Sequence, residues 1–306
     1  MSRLPVATPS RGTPLSTPSF ELRGKRVWVA GHRGMVGGAL CQHLAAEPCT
    51  VLTVDRDEVD LCRQAAVEAW LERTRPDAVL LAAAKAGGIL ANDRHPAAFP
   101  YDSLAIAANL VHAADAVGVE TLVFLGSSCI YPKYAEQPIG EAAPLTGALA
   151  PTNEWYAIAK IAGLELCQAC RREHGSDFVA AMPTNLYGPD GCYRADLLVA
   201  VGYEVDSVRH FVELAFAQVD RRTAWEGDGV DEVGRDARSG AVLVRIDPGY
   251  FRPTAVDLLV GDATKAQHVL GWTHDAGLDE LVEEMVGADL AAMTANATTL
   301  PAVVHG

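Results

Sequence analysis

Tyr156 and Lys160 stand four residues apart in EWYAIAKIAG, a run whose apolar spacing predicts a helix, so both side chains project from one face. A phenol has an ordinary pKa of about 10 and gives up a proton near neutral pH only when a nearby cation stabilises the phenolate. Lys160 supplies that cation. Upstream, FLGSSCIYP sets Ser127 and Cys129 just after a predicted strand, on the carboxyl edge where open α/β sheets bind ligands. Ser127 is suited to hydrogen-bond the oxygen that Tyr156 protonates. Cys129 has two readings of equal weight, a thiol acting as acid or base on a carbon next to a ketone and an ordinary packed thiol. The Tyr-x-x-x-Lys spacing also occurs by chance. It gains meaning from the elements around it.

Those elements begin at KRVWVA, a short β run, followed by the turn GHRGMVG and the helical pattern GALCQHLAAE. Gly31, Gly34 and Gly37 therefore follow a strand and open a helix, the context in which missing Cβ atoms let a pyrophosphate approach main-chain N–H groups. The second predicted strand, TVLTVD, ends in Asp55 and Arg56, which argue in opposite directions. A carboxylate about 20 residues past the glycines accepts from a ribose 2′-hydroxyl and favours NAD, whereas Arg33 and Arg56 would pair with a 2′-phosphate and favour NADP. Either cofactor remains open on this reading.

Further β and α patterns alternate through DAVLLAAA, AIAANLVHAADAVG, TLVFLGSS, YAIAKIAGLELCQACRREHG and FVAAMPTN, which predicts an α/β fold with a Rossmann-type doubly wound parallel sheet. Beyond Pro189 the signals weaken. LLVAV and AVLVRID read as strands, SVRHFVELAFAQV and LDELVEEMVGADLAAMT as helices, and the charged, Gly-rich EGDGVDEVGRDARSG as an exposed loop. Residues 1–24, rich in Pro, Ser and Thr, read as a disordered arm, and 289–306 as a tail.

Of the 306 residues 49% are hydrophobic, enough for one large α/β domain with a small further lobe. A net charge of −14 repels polyphosphate backbones, so nucleic acid is not an expected partner. Charged residues interrupt every apolar run before it reaches the roughly 20 residues of a membrane span. Seven scattered cysteines, an odd number, suggest reduced thiols in a cytoplasm. Cys167 and Cys170 form a C-x-x-C within a helical pattern and lack a second pair, so they read as a structural helix face, and no metal site is expected.

Residues 25–189 closely resemble the GDP-L-fucose synthases, extended short-chain dehydrogenases/reductases, through GHRGMVG, AAAKAGGILAN, FLGSSCIYPK, PTNEWYAIAKIAG and MPTNLYGP in that order. The resemblance implies a cytoplasmic, NADP(H)-dependent homodimer, with NAD(H) possible, that epimerises C3 and C5 of GDP-4-keto-6-deoxy-D-mannose and then reduces its C4 ketone. By the same resemblance Ser127, Tyr156 and Lys160 form the reductase triad and Cys129 is the epimerisation base. Cofactor contacts fall on Gly31, His32, Arg33, Gly34, Met35, Val36, Gly37, Arg56, Leu125, Gly126, Ser127, Ser128, Lys160, Pro183, Thr184, Asn185 and Leu186.

From about Asp196 the chain resembles instead the C-terminal part of GDP-mannose 4,6-dehydratase, with the join near GCYRAD. The implied organisation is a dinucleotide-binding domain over 25–189 and a dehydratase-type part over 190–288 that carries a truncated substrate lobe. Asn185 and Arg252 are the implied substrate contacts. Ala255 and Gly249 depart from the dehydratase pattern, and the segment that would bring the epimerisation histidine is missing. Two alternatives follow from that gap: 4-keto reduction without epimerisation, and an impaired dinucleotide-binding fusion product.

Overall fold

The structure, a computed structural model, describes residues 20–85, 96–183, 186–187, 198–199, 208–248, 260–272 and 277–299. Residues 1–19 of the expected arm lie outside the described residues. Phe20 and Leu22, within its last part, pack against the core, and the Gly24 N–H donates to the Pro48 carbonyl at 2.8 Å.

Strand β1 (Arg26–Ala30) explains the architecture. Val27, Trp28, Val29 and Ala30 are each at most 1% exposed, so the strand is covered on both faces instead of alternating. It sits within a five-stranded parallel sheet with β2 (Thr50–Leu52), β3 (Ala78–Leu81), β4 (Thr121–Leu125) and β5 (Asp177–Ala181), in the order β2-β1-β3-β4-β5. On one side Trp28, Leu81, Phe124 and Phe178 pack against helices α2 (Gln64–Thr74), α3 (Ala98–Ala116) and α4 (Glu154–His174). On the other, Val27, Val29 and Ala78 pack against Leu44 of α1 (Met35–Leu44). The sheet is thus doubly wound, as its alternating pattern predicts. The chain leaves β1 toward β2 and then crosses to β3 on the opposite side, which opens a crevice at the carboxyl ends of β1 and β3.

After β5 come a two-stranded antiparallel pair, β6 (Leu186–Tyr187) and β7 (Leu198–Val199), and then α5 (Val208–Ala217). Strands β8 (Thr223–Glu226), β9 (Val233–Asp236) and β10 (Val242–Arg245) form an antiparallel sheet in the order β10-β9-β8. This corrects the expectation of an exposed loop over EGDGVDEVGRDARSG. The segment pairs, and its buried charge is partnered inward. Asp236, 3% exposed, accepts from the Arg221 guanidinium, from Arg238 N at 2.8 Å and from Ser239 N at 3.2 Å. Those donors, Arg221 foremost, hold its carboxyl down to about 2.

Helices α6 (Thr264–Leu270) and α7 (Leu278–Thr299) complete the described chain. The stretch before α6 is tied to the parallel-sheet half by main chain. Ile139 N donates to Val260 O at 2.7 Å, Asp262 N donates to Ile139 O at 2.9 Å, and Val260 N donates to Gln137 Oε1 at 2.8 Å. Lys265 and Glu141 pair beside this bridge. Among the described residues no helix is long and apolar enough to cross a membrane.

Gly163 of α4 lies where that helix meets β4 and α3: a Cβ there would come 2.5 Å from Phe124 Cζ and 3.2 Å from Ala107 Cβ. Phe124 is 2% exposed and cannot swing aside. Gly163→Ala should therefore lose about 1–2 kcal/mol, the overpacking cost exceeding the helix-propensity gain of about 1 kcal/mol. Gly287→Ala in α7, with nothing within 4 Å, should keep that gain. Denaturant melts of the two variants check the opposite signs.

Candidate active site

Gly31 ends β1 at φ +92°, and a Cβ on it would lie 2.7 Å from both N and Cα of Ala83, just past β3. Only glycine lets the two chain ends converge there. A Cβ on Gly37, in the first turn of α1, would strike the Gly31 carbonyl, so this glycine holds the helix tightly against the turn. Gly34 caps α1, and its N–H donates to Gly31 O at 3.0 Å. His32, Arg33, Gly34, Met35 and Val36 all retain solvent exposure. The helix start, with its partial positive charge, therefore faces outward at the crevice.

Asp55 lies beside that turn. Arg33 Nη2 donates to its Oδ2 at 2.5 Å, and His32 Nε2 lies 3.3 Å from its Oδ1. Oδ1 is shielded from solvent and makes no hydrogen bond. Arg56 points to solvent. The residues present fit a dinucleotide: a turn on which no Cβ intrudes, a free helix start, and a carboxyl oxygen lacking a donor where a ribose hydroxyl would arrive.

At the carboxyl end of β4, Leu125, Gly126, Ser127 and Ser128 run into a short 3₁₀ turn that contains Cys129. Helix α4 starts nearby and brings Tyr156 and Lys160 to the same edge. Lys160 is 6% exposed, its Nζ donates to the Leu125 carbonyl at 2.7 Å, and it lies 5.8 Å from the Tyr156 ring centre. Burial pulls its pKa down to about 8. Burial also pushes the Tyr156 phenol up, with a further push from Cys129. The Cys129 thiol is raised by burial, while the Ser127 hydroxyl and the Lys160 charge act in the other direction.

The structure therefore brings Ser127, Cys129, Tyr156 and Lys160 together. Pro183 and Leu186 follow β5 on the same side, while Thr184, Asn185 and Arg252 lie outside the described residues. Such a set can donate a proton to a carbonyl oxygen and hold a thiol near the adjacent carbon. Sequence reasoning gave no role to Lys85, just past β3, whose Nζ pairs with Asp102 Oδ2 at 2.7 Å and lies 5.5 Å from the Phe99 ring centre. The Ser103 hydroxyl donates to the Lys85 carbonyl at 3.2 Å. A lysine directly after an apolar strand in AAAKAGGILAN is the signal that could have marked it.

The family model of the NAD dependent epimerase/dehydratases matches residues 27–200, and that of GDP-mannose 4,6 dehydratase matches residues 193–285. Over 172 residues the chain is 60% identical to the GDP-L-fucose synthase of Sinorhizobium fredii, covering 56% of this chain and 55% of that one. Over 123 residues it is 49% identical to the GDP-mannose 4,6 dehydratase of Drosophila melanogaster, covering 40% of this chain and 30% of that one. The chain thus spans about half the length of the fucose synthase relatives it matches. A solved GDP-mannoheptose C4 reductase from Campylobacter jejuni with NADP bound superposes with a TM-score of 0.55 at 28% identity, covering 66% of this chain and 58% of that one.

The depressed pKa of Lys160 carries a stability signature. Its folded value of about 8 lies below the ordinary lysine value of about 10.4, so the unfolded chain binds this proton more tightly. The buried ammonium thus costs stability at neutral pH, and the cost is relieved as the pH rises from about 8 to about 10. Lys160→Met should compare most favourably with the parent near pH 7, with the difference moving toward the parent by on the order of 2 kcal/mol by pH 10. Paired urea melts across that range provide the measurement.

Proposed function

The chain belongs to the NAD dependent epimerase/dehydratase family, and from that premise we propose that it is an NADP(H)-dependent epimerase/reductase converting GDP-4-keto-6-deoxy-D-mannose to GDP-L-fucose. The observation that carries this reading is the convergence of Ser127, Cys129, Tyr156 and Lys160 at the end of β4, in a chain 60% identical over 172 residues to a GDP-L-fucose synthase. That identity favours the epimerase/reductase over a plain reductase.

When bound, the nicotinamide supplies the hydride. The turn from Gly31 to Gly37 and the start of α1 would hold the pyrophosphate, and Arg33 and Arg56 would take a 2′-phosphate. Leu125, Gly126, Ser127 and Ser128, with Pro183 and Leu186 and with Thr184 and Asn185 outside the described residues, would flank the nicotinamide. Lys160 would orient the nicotinamide ribose, and its charge would ease formation of a Tyr156 phenolate as the proton leaves. Tyr156 is protonated at neutral pH, as a phenol ordinarily is and more firmly so with burial raising its pKa, which is the form needed to donate to the C4 oxygen, and Ser127 donates to the same oxygen. Cys129, once its thiol has given up its own proton, would take the proton next to the ketone before reduction, and a water or a further side chain would return a proton on the opposite face. Asn185 and Arg252, outside the described residues, would contact the GDP-sugar.

The same proposal includes a dinucleotide-binding domain over 25–189, a dehydratase-type part over 190–288, and a cytoplasmic location, which suits the six free cysteines among the described residues. It also includes a homodimer. Tyr101 and Leu104 of α3 and Trp155 and Ile158 of α4, 45–66% exposed, give that helix pair an apolar outer surface suited to a second copy.

Substrate-dependent oxidation of NADPH, followed by NMR of the product, tests the function. GDP-L-fucose is expected; an unepimerised GDP-6-deoxyhexose would remove the epimerase half, and no oxidation would remove both. Tyr156→Phe should lower kcat by about 10²- to 10⁴-fold with NADPH binding nearly unchanged, because the hydroxyl acts only where charge develops on the ketone oxygen. Stopped-flow and calorimetric measurements separate the two effects.

Asp55 bears on cofactor choice, since a 2′-phosphate must displace its carboxylate from Arg33 and then lie close to it. Asp55→Thr should tighten NADPH relative to NADH by about 1 kcal/mol or more. An unchanged ratio in calorimetric titrations would place the carboxylate outside the ribose site.

A further inference from the structure

At the opposite edge of the sheet from the glycine turn, α3 and α4 end side by side and feed into β4 and β5. Cys170 and His174 lie one turn apart on α4 and share a face. Asp115, from the last turn of α3, meets them, and the ligand atoms of the three residues all lie within 4.8 Å of one another. His174 Nδ1 is 2.6 Å from Asp115 Oδ2, and the Ser176 hydroxyl donates to Asp115 Oδ1. A shallow, solvent-open cavity of about 520 Å³ lies beside Asp115 and His174, lined also by Glu120 and Asp177.

We propose that Asp115, Cys170 and His174 bind a divalent transition-metal ion of the zinc type. One thiolate, one imidazole and one carboxylate, with water entering from the cavity as a fourth ligand, match the donor set and coordination number of that ion. The sulfur and nitrogen donors select it over magnesium or calcium, which take oxygen ligands. The electrostatics agree. Two helix carboxyl termini converge here, each contributing partial negative charge. The neighbouring carboxylates have their own cations, Glu120 with Lys25 Nζ at 2.5 Å and Asp177 with Arg171 Nη1 at 3.4 Å. Asp115 is satisfied by a histidine ring and a hydroxyl, both of which a metal can replace or reorient. His174 is half exposed, so giving up its hydrogen bond to Asp115 costs little. Burial and the nearby carboxylates of Asp115 and Glu173 keep the Cys170 thiol protonated, so binding displaces that proton to solvent. The bound ion would cross-link α3 to α4 at the entrance to β5, away from the proposed active site.

Cobalt(II), with zinc(II) as competitor, is the probe, added to the metal-free full chain. We expect one saturable equivalent with a sulfur-to-cobalt charge-transfer band that zinc abolishes, and a rise in Tm with metal concentration as linkage requires. Cys170→Ser and His174→Gln should each lose the band, Asp115→Asn should weaken binding roughly 10- to 100-fold, and Cys49→Ser should change nothing. His174→Gln alters an exposed side chain, so circular dichroism can establish its folding independently. Absence of a thiolate band in the parent, or its survival in either Cys170→Ser or a folded His174→Gln, would overturn the site.

Discussion

A parallel sheet covered on both faces has no room for polar chemistry except at the ends of its strands. Here the covering is complete at β1, where four successive residues are buried, and Trp28 packs 5.9 Å from Trp70 on one side while Val29 packs toward α1 on the other. Polar groups are therefore pushed to the carboxyl edge, and the reversal of strand order between β1 and β3 opens the crevice there. The close approach of Gly31 to Ala83 is the steric expression of the same constraint, since the two strand ends must converge for the crevice to have a floor.

Lys160 shows how that edge is made chemically useful. A lone ammonium in such surroundings would neutralise or find water. This one is held by the Leu125 carbonyl and the rings of Phe124 and Tyr156, so the cation stays poised without a carboxylate to quench it. The hydrogen bond also joins α4 to the end of β4, where Ser127 and Cys129 emerge. Packing and chemistry thus share one contact, and the glycine at position 163 lets the helix come near enough to make it.

Much of this was legible in the sequence because the signals are local. The strand, glycine turn and helix of GHRGMVG are contiguous, and the four-residue spacing of Tyr156 and Lys160 fixes their common face. What escaped depends on distant partners. Val233–Asp236 reads as a charged loop until Arg221 and two main-chain donors are seen to neutralise Asp236. Asp55 and Arg33 look like opposing votes on a cofactor, yet they lie 2.5 Å apart and form one unit. Cys170 was grouped with Cys167 by spacing, although its nearest metal-type companions are His174, one turn onward, and Asp115 on another helix.

The bridge between Ile139 and the segment Val260–Asp262 has a consequence for how such a chain could arise. Main-chain hydrogen bonds carry no record of side-chain identity, so a strand from one ancestor can dock on a loop from another provided both backbones are extended. The loop between β4 and α4, which carries Ile139, and the segment entering α6 fall in regions matched by different family models. Among the described residues their joint is built from main-chain contacts of the kind that mosaic genes can exchange, to which the Lys265–Glu141 pair and the Gln137 amide add side-chain contacts.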